Sequence, residues 1–310
     1  MMKRQAERGR LLQNVMLAPF TSWQIGGNAE NFYWPLHLKD LQQFLQQLPE
    51  DQKLTWLGLG SNVLIPDEGL PGTVVITQGA LMAMTVIAPN QIRAEAGVSA
   101  AQVARFAARQ NLVGGEFMAG IPGTVGGALS MNAGAFGGET WRFVDHVETI
   151  DRFGNIQMRK PEEFKVAYRH VEGLNGQFFA AAVFNFQQGD GKAAMEKIKS
   201  LLERRAETQP TGEPSCGSTF RNPPGDFSAR LIEAAGLKGF GIGAAQVSRK
   251  HANFIINTGG ATANDTAAVI KAVRDKVHEV HGVWLIPEVH ILSDELRAKI
   301  LGEAHETQRA

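Results

Sequence analysis

The chain has 310 residues, with 31 Lys plus Arg balanced by 31 Asp plus Glu, and 44% of its residues are hydrophobic. That length supports two domains with separate cores, and zero net charge gives no field to draw the protein onto nucleic acid or an anionic membrane. Any binding of an anion must therefore be local.

Cys216 is the only cysteine, which excludes an internal disulfide and fits a reducing compartment. The opening MMKRQAERGRLLQ carries positive charge but no apolar run of signal-peptide length, and no later stretch has the length and hydropathy of a membrane span. A soluble cytoplasmic protein is expected.

Along the chain, the first block reads as strand-rich. WLGL from Trp56, TVVI from Thr73, TVIA from Thr85 and QIRAEA from Gln91 have strand composition, the last two turning as a hairpin at Pro89 and Asn90. The first run enters Gly58, Gly60, Ser61 and Asn62, where bare backbone and two polar side chains suit phosphate oxygens. Ser99 and Gln102 form a capping box for a helix with Val103 and Phe106 on one face, and Gly114 is its expected C-terminal cap.

Gly120 to Gly138 then reads GIPGTVGGALSMNAGAFGG, seven glycines among nineteen residues. Glycine weakens helices and strands, so such a run marks backbone that turns left-handed or touches something closely. Two such loops can enclose one pyrophosphate. VDHVETI from Val144, a turn at Phe153 to Asn155 and FFAAAVFNF from Phe178 complete a first domain over 1–190, most of it 20–190, closed by the polar link Gln187 to Lys192.

A second domain over 191–310 opens with a helical stripe of Met195, Ile198, Leu201 and Leu202. Leu231, Ile232 and Ala235 indicate a short helix stopped by Gly236, and NFIIN from Asn253 a strand. Thr262 with Asp265 caps a helix whose Val269, Val273, Val277 and Val280 recur at helical spacing as far as Gly282. VWLIPEVHIL from Val283 reads as a last strand, bent or at an edge because of Pro287.

Neither glycine loop ends in GK[ST], and GLGSNV lacks the third glycine of GxGxxG, so a P-loop and a Rossmann site are both unsupported. His278 and His281 read as a solvated helix face rather than a metal pair, and no metal site is expected. In PSCGSTFRNP a turn exposes Ser218, either as a serine bonding its own backbone or as a reactive hydroxyl, with no GxSxG elbow to make it a hydrolase nucleophile. Glu288 is a carboxylate inside an apolar run, where burial without a partner is costly. Arg169, taken alone, reads as a surface charge.

In order, GxGSN, GIPGTVGGAxxMNAGA, YR, CGSxFRNP, GAxxVSxKHANFIIN and a terminal PEV resemble the UDP-N-acetylenolpyruvoylglucosamine reductase, or MurB, family from about Phe20 to Val289. The resemblance implies an α+β protein: an FAD-binding fold like that of vanillyl-alcohol oxidase (PCMH-type) plus a smaller α/β substrate-binding domain. It implies NADPH-dependent, FAD-mediated reduction of UDP-N-acetylglucosamine enolpyruvate, with no nucleic-acid or membrane partner, by a monomer.

By the same resemblance, Gly58, Gly60, Ser61, Asn62, Gly120, Gly123, Thr124, Gly126, Gly127 and Ala128 would line the FAD pyrophosphate. Ser218, Arg169 and Glu288 would be catalytic, and Tyr168, Arg221, Asn222, Lys250, His251 and Asn253 would border the substrate. Val171 stands where the family usually has Ser, and Leu285, Ile286 and Pro287 precede Glu288 where the family often has another acidic residue. With Tyr33 and Tyr168 as its only tyrosines, the chain resembles the subclass lacking the tyrosine loop. The rivals are another flavin oxidase or dehydrogenase of the same fold and a non-catalytic nucleotide-binding regulator.

Overall fold

The computed structural model describes residues 9–302. The chain divides into two compact units, neither continuous in sequence: residues 9–13, 31–59 and 72–205 form one, and 14–30, 60–71 and 206–302 the other. Among the described residues, no helix is long and apolar enough to cross a membrane.

The first unit is built on an antiparallel sheet ordered Ile156–Arg159, Val144–Ile150, Phe178–Asn185, Gln91–Glu95 and Met84–Ala88. The middle strand is the AAAVF run, and Ala180 to Phe184 are all buried, which explains why it reads as continuously apolar rather than alternating. A smaller cluster forms where α1 (Leu38–Leu45) buries Leu41 and Leu45 with Tyr33, Val75 and Ile150. Leu54–Leu57, which leads into the first glycine loop, runs parallel to Leu70–Ile76 with Leu54 opposite Thr73.

Helix α2 (Ala100–Arg109) starts at the expected capping box, with Gln102 N donating to Ser99 Oγ at 3.2 Å and Ser99 N to Gln102 Oε1 at 3.0 Å. Its end differs from expectation. The helix stops at Gln110, and Asn111 takes the left-handed conformation at φ 57°, so Gly114 is not the cap. Gly114 is needed for two other reasons: its φ is 100°, and a side chain there would meet the Phe143 ring at 2.9 Å.

The short α3 (Val125–Ser130) follows in the glycine segment, and α4 (Gly191–Thr208) comes next. Ala194 and Ile198 of α4 belong to the core of the first unit, and Lys197 donates to the buried Glu116 carboxylate at 3.1 Å. The start of α4 is thereby held to the first unit, and the boundary lies inside this helix rather than ahead of it at 190.

The second unit centres on an antiparallel sheet of Gly241–Ile242, Ala245–Val247 and Ile255–Asn257 with α5 (Ser228–Ala234), α6 (Ala263–His281) and α7 (Asp294–Leu301). Val269, Ile270, Val273 and Val277 of α6 are fully buried against Val247 and Ile255. The Thr262/Asp265 box opens α6, and Gly282 closes it at φ 68°. The expected final strand is broken: only His290–Ile291 pairs regularly, in parallel with Val63–Leu64, while Pro287 makes an isolated bridge with Phe220. His278 is not simply solvated, since its ring stacks on Trp284 at 3.9 Å. Among the described residues no cluster of His, Cys, Asp or Glu is arranged to hold a metal.

Candidate active site

In the second unit, the segment that carries Ser218 is paired with the segment that carries Glu288, although 70 residues separate the two in sequence. Glu288 N donates to Thr219 O at 2.8 Å, and Arg221 N to Ile286 O at 2.9 Å, so the two segments run as an irregular antiparallel pair around the Phe220–Pro287 bridge. Pro287 has no N–H to offer, and its neighbour Glu288 supplies the donor that holds the pair. Gly217, at φ 79°, turns the chain just ahead of Ser218. Ser218 is half-buried, and among the described residues its hydroxyl has no hydrogen-bond partner. A serine that merely closed its own turn would use that hydroxyl on nearby backbone.

Asn253 secures this arrangement from the other side. Its Oδ1 accepts from Phe220 N at 3.0 Å, its Nδ2 donates to Phe220 O at 2.8 Å, and its own carbonyl accepts from Thr219 N at 2.8 Å. Sequence reading placed Asn253 at the substrate; its 3% exposed side chain is committed to the Ser218 segment. Asn253→Leu keeps the branched outline but strands two buried backbone groups, each worth about 1–3 kcal/mol. Urea denaturation should show a loss of about 2–4 kcal/mol, and a change below about 1 kcal/mol would contradict this role.

The first glycine loop reaches the same strand. Asn62 Nδ2 donates to Glu288 O at 3.1 Å, and His290 N donates to Asn62 O at 3.0 Å. Gly60 is left-handed at φ 62°, and a Cβ there would lie 2.2 Å from Phe20 O, so the fold itself demands glycine there. Ser61 is half-buried.

The remaining expected substrate residues are spread over the second unit, apart from Tyr168 in the first. Asn222 Oδ1 accepts from Ser228 N at 3.1 Å, next to the half-buried Arg221. Lys250 is exposed and its ammonium donates to Ala206 O. His251 accepts from Asn253 N on Nδ1 at 3.3 Å and meets Phe254 edge-on; burial, with Lys238 nearby, holds its pKa below the ordinary value, which favours the neutral ring. Burial pushes the Cys216 thiol far above its ordinary pKa, outweighing the Thr219 hydroxyl and aided by the Glu288 charge, so this cysteine stays a protonated, inert thiol.

In the first unit, Arg169 occupies the two-residue turn between Lys165–Ala167 and His170–Glu172, with Ala167 opposite His170. It is left-handed at φ 55°, a strained conformation for a bulky side chain. Its guanidinium donates to Asn132 O at 3.4 Å and Gly134 O at 2.9 Å and lies 5.2 Å from the centre of the exposed Tyr168 ring. Sequence reading missed Asn132; a signal was present, since Asn is a non-glycine residue that tolerates the left-handed region.

The second glycine segment packs closely against the first. A Cβ on Gly58 would lie 2.5 Å from Thr124 Oγ1, so the two loops pass in direct contact where the Thr124 side chain caps α3 by accepting from Gly127 N at 3.4 Å. Gly120 sits under Phe136, where a Cβ would meet the ring at 2.4 Å. Gly123 is buried, its carbonyl accepting from Ala100 N at 2.9 Å. Gly126 abuts Ala96, and its amide is taken by Ala96 O at 3.0 Å, so it contributes close approach rather than a donor. Ala128 is buried behind it.

Gly127 is the informative position. It is exposed and helical, and its Cβ would meet nothing nearer than Thr124 Oγ1 at 3.8 Å. Nothing in the fold requires glycine there, although glycine weakens a helix by about 1 kcal/mol. The backbone at 127, next to Thr124, is bare and open to close approach by a ligand.

Comparison with known proteins places this geometry in a family. A family model described as UDP-N-acetylenolpyruvoylglucosamine reductase, C-terminal domain, matches residues 209–292, and one described as FAD binding domain matches 29–158. UDP-N-acetylenolpyruvoylglucosamine reductase of Alkalilimnicola ehrlichii is 57% identical over 292 residues, covering 94% of this chain and 98% of its own. The protein of that name from Methylococcus capsulatus is 56% identical over 287 residues, covering 93% and 94%. The crystal structure of UDP-N-acetylenolpyruvylglucosamine reductase (MurB) from Thermus caldophilus superimposes with a TM-score of 0.78 at 28% identity, over 92% of this chain and 98% of that one.

Proposed function

The chain belongs to the UDP-N-acetylenolpyruvoylglucosamine reductase family, and we propose that Ser218, Arg169 and Glu288 carry out the proton and charge handling of its reaction. The reaction reduces UDP-N-acetylglucosamine enolpyruvate to UDP-N-acetylmuramate in peptidoglycan synthesis, with NADPH as reductant and FAD as cofactor. FAD, held by the two glycine loops, would supply the hydride chemistry that links NADPH to the methylene carbon of the enolpyruvyl ether.

Negative charge then develops at the neighbouring substrate carbon and spreads into its carboxylate. Arg169 grips that carboxylate through its planar fork, which charge-assisted hydrogen bonding favours over a point charge. Glu288 orients and polarises the same group, and Ser218 Oγ delivers a proton to the carbon. A hydroxyl is a weak acid, yet the enolate carbon is far more basic, so the transfer runs downhill once the geometry is held. What supports the reading is the backbone pairing of the two segments, Glu288 N to Thr219 O at 2.8 Å, which brings Glu288 alongside the residue next to Ser218, with the serine hydroxyl left free of partners among the described residues.

Gly58, Thr124 and Gly127 hold the cofactor's pyrophosphate by close backbone approach in this reading, with Gly60, Ser61, Asn62, Gly120, Gly123, Gly126 and Ala128 shaping the same two loops. Tyr168, Arg221, Asn222, Lys250 and His251 border the UDP-sugar, while Asn253 serves it through the Ser218 segment. The protein acts as a monomer in the cytoplasm, a reducing compartment that the lone Cys216 fits.

The experiment follows the two half-reactions separately under anaerobic conditions. The yellow protein should bleach with NADPH and regain colour with the enolpyruvyl sugar. Glu288→Gln keeps the shape but removes the charge, so recolouring should slow by roughly tenfold, about 1.4 kcal/mol, with bleaching unchanged. Recolouring by oxygen but not by the sugar would favour a flavin oxidase, and ligand binding without turnover a regulator.

A further inference from the structure

We propose that Asn132 is the positioning residue for Arg169, an inference that rests on reading Arg169 as the group that binds the substrate carboxylate. The two residues are the partners of a reciprocal clasp. Arg169 reaches with its guanidinium to the backbone carbonyl of Asn132 at 3.4 Å and to that of Gly134 at 2.9 Å. Asn132 reaches back with its amide Nδ2 to the carbonyl of Ala167 at 3.2 Å, the residue that opens the turn holding Arg169.

Both residues are left-handed, Asn132 at φ 45° and Arg169 at φ 55°, a conformation that Asn tolerates and that is strained for Arg, so the bonds around the Arg169 turn hold it against that strain. The Asn132 side chain is 2% exposed, and the rest of its hydrogen bonding is committed as well. Nδ2 also donates to Glu139 Oε2 at 3.3 Å, and Oδ1 accepts from Trp141 N at 3.2 Å. The clasp therefore ties the guanidinium to the second glycine segment, with one N–H on each of two fixed carbonyls, before any substrate arrives. A long, flexible side chain set in advance in this way loses less freedom when it meets a carboxylate.

Gln or Leu would disturb the left-handed turn, so the variants to make are Asn132→Gly, which suits that backbone, and Asn132→Asp, which still accepts from Trp141 N but cannot donate to Ala167 O and sets a second carboxylate against Glu139. In the FAD-loaded enzyme, bleaching by NADPH should stay within about twofold of wild type while recolouring by the enolpyruvyl sugar slows by roughly tenfold and the sugar's apparent Kd rises, the pattern of a misplaced binding group. Because Asn132 acts through Arg169, Asn132→Gly made on top of Arg169→Ala should slow recolouring by less than about twofold more.

Equal loss of both half-reactions in both variants, or full multiplication of the effects in the double variant, would overturn the inference and make Asn132 a general support of the segment. Unchanged recolouring in Arg169→Ala would instead remove Arg169 from the carboxylate, and the positioning role with it. Should Asn132→Gly lose its flavin, Asn132→Asp gives the same readings.

Discussion

Ser218→Ala should leave bleaching by NADPH within about twofold of wild type and slow recolouring by the enolpyruvyl sugar by about 10²–10⁴-fold, the range for loss of a positioned general acid. The selectivity follows from what the hydroxyl does in the fold. Among the described residues it has no hydrogen-bond partner, and the segment is held by Thr219 N, Thr219 O and Phe220 through bonds that alanine preserves. Removing the hydroxyl therefore takes away a proton donor and little stability. Ser218→Thr would keep an acid but add a methyl in a half-buried site, and an intermediate rate is expected. If alanine slows both half-reactions equally, Ser218 shapes the site rather than supplying the proton.

Gly58→Val should yield folded protein that purifies without its flavin. A Cβ at this position lies 2.5 Å from Thr124 Oγ1, and Thr124 has little room to give way, being 2% exposed, bridged to Ser99 and committed to capping α3. The valine must push one glycine loop off the other, and the surface on which the pyrophosphate rests goes with it. The flavin-to-protein absorbance ratio of the purified variant measures this, with circular dichroism as the check on folding. Gly60→Val makes the contrast: its Cβ lies 2.2 Å from Phe20 O and its φ is 62°, so that change should destabilise the second unit itself. Wild-type occupancy in Gly58→Val would remove the cradle from the account.

Local signals in the sequence carried well into the structure because the chemistry behind them is local. Ser99 with Gln102 and Thr262 with Asp265 form both bonds of their capping boxes, and the hairpin at Pro89 and Asn90 turns as its strand content indicates. Where a signal depended on something distant, it misled. Gly114 looked like a helix cap, yet Asn111 ends the helix and Gly114 makes room for Phe143. The run VWLIPEVHIL, expected to bend or lie at an edge at Pro287, is interrupted there, and because Glu288 N is claimed by Thr219 regular pairing is left to His290–Ile291. His278 looked solvated because Trp284, its stacking partner, lies beyond the helix end.

The candidate site shows the same division. Of the three proposed catalytic residues, Glu288 stands out in the sequence as a carboxylate in an apolar run, Ser218 is left open between a turn serine and a reactive hydroxyl, and Arg169 is picked out by the family motifs alone. Their supports are not legible at all. Asn253 fell in a motif and was assigned to the substrate, because nothing local reveals that its amide spans the Phe220 backbone. The interleaving of the two units was equally hidden, since residues 14–30 and 60–71 join the second unit through partners such as Ile255 for Trp23 Nε1 and Ala263 for Asp67, about 200 residues away.

The most direct test is a crystal structure with FAD and the enolpyruvyl sugar bound. The account predicts the Arg169 guanidinium forked on the substrate carboxylate, Glu288 beside it, and Ser218 Oγ within about 3–3.5 Å of the carbon to be protonated. A carboxylate bound elsewhere, or a Ser218 hydroxyl out of reach of that carbon, would contradict it.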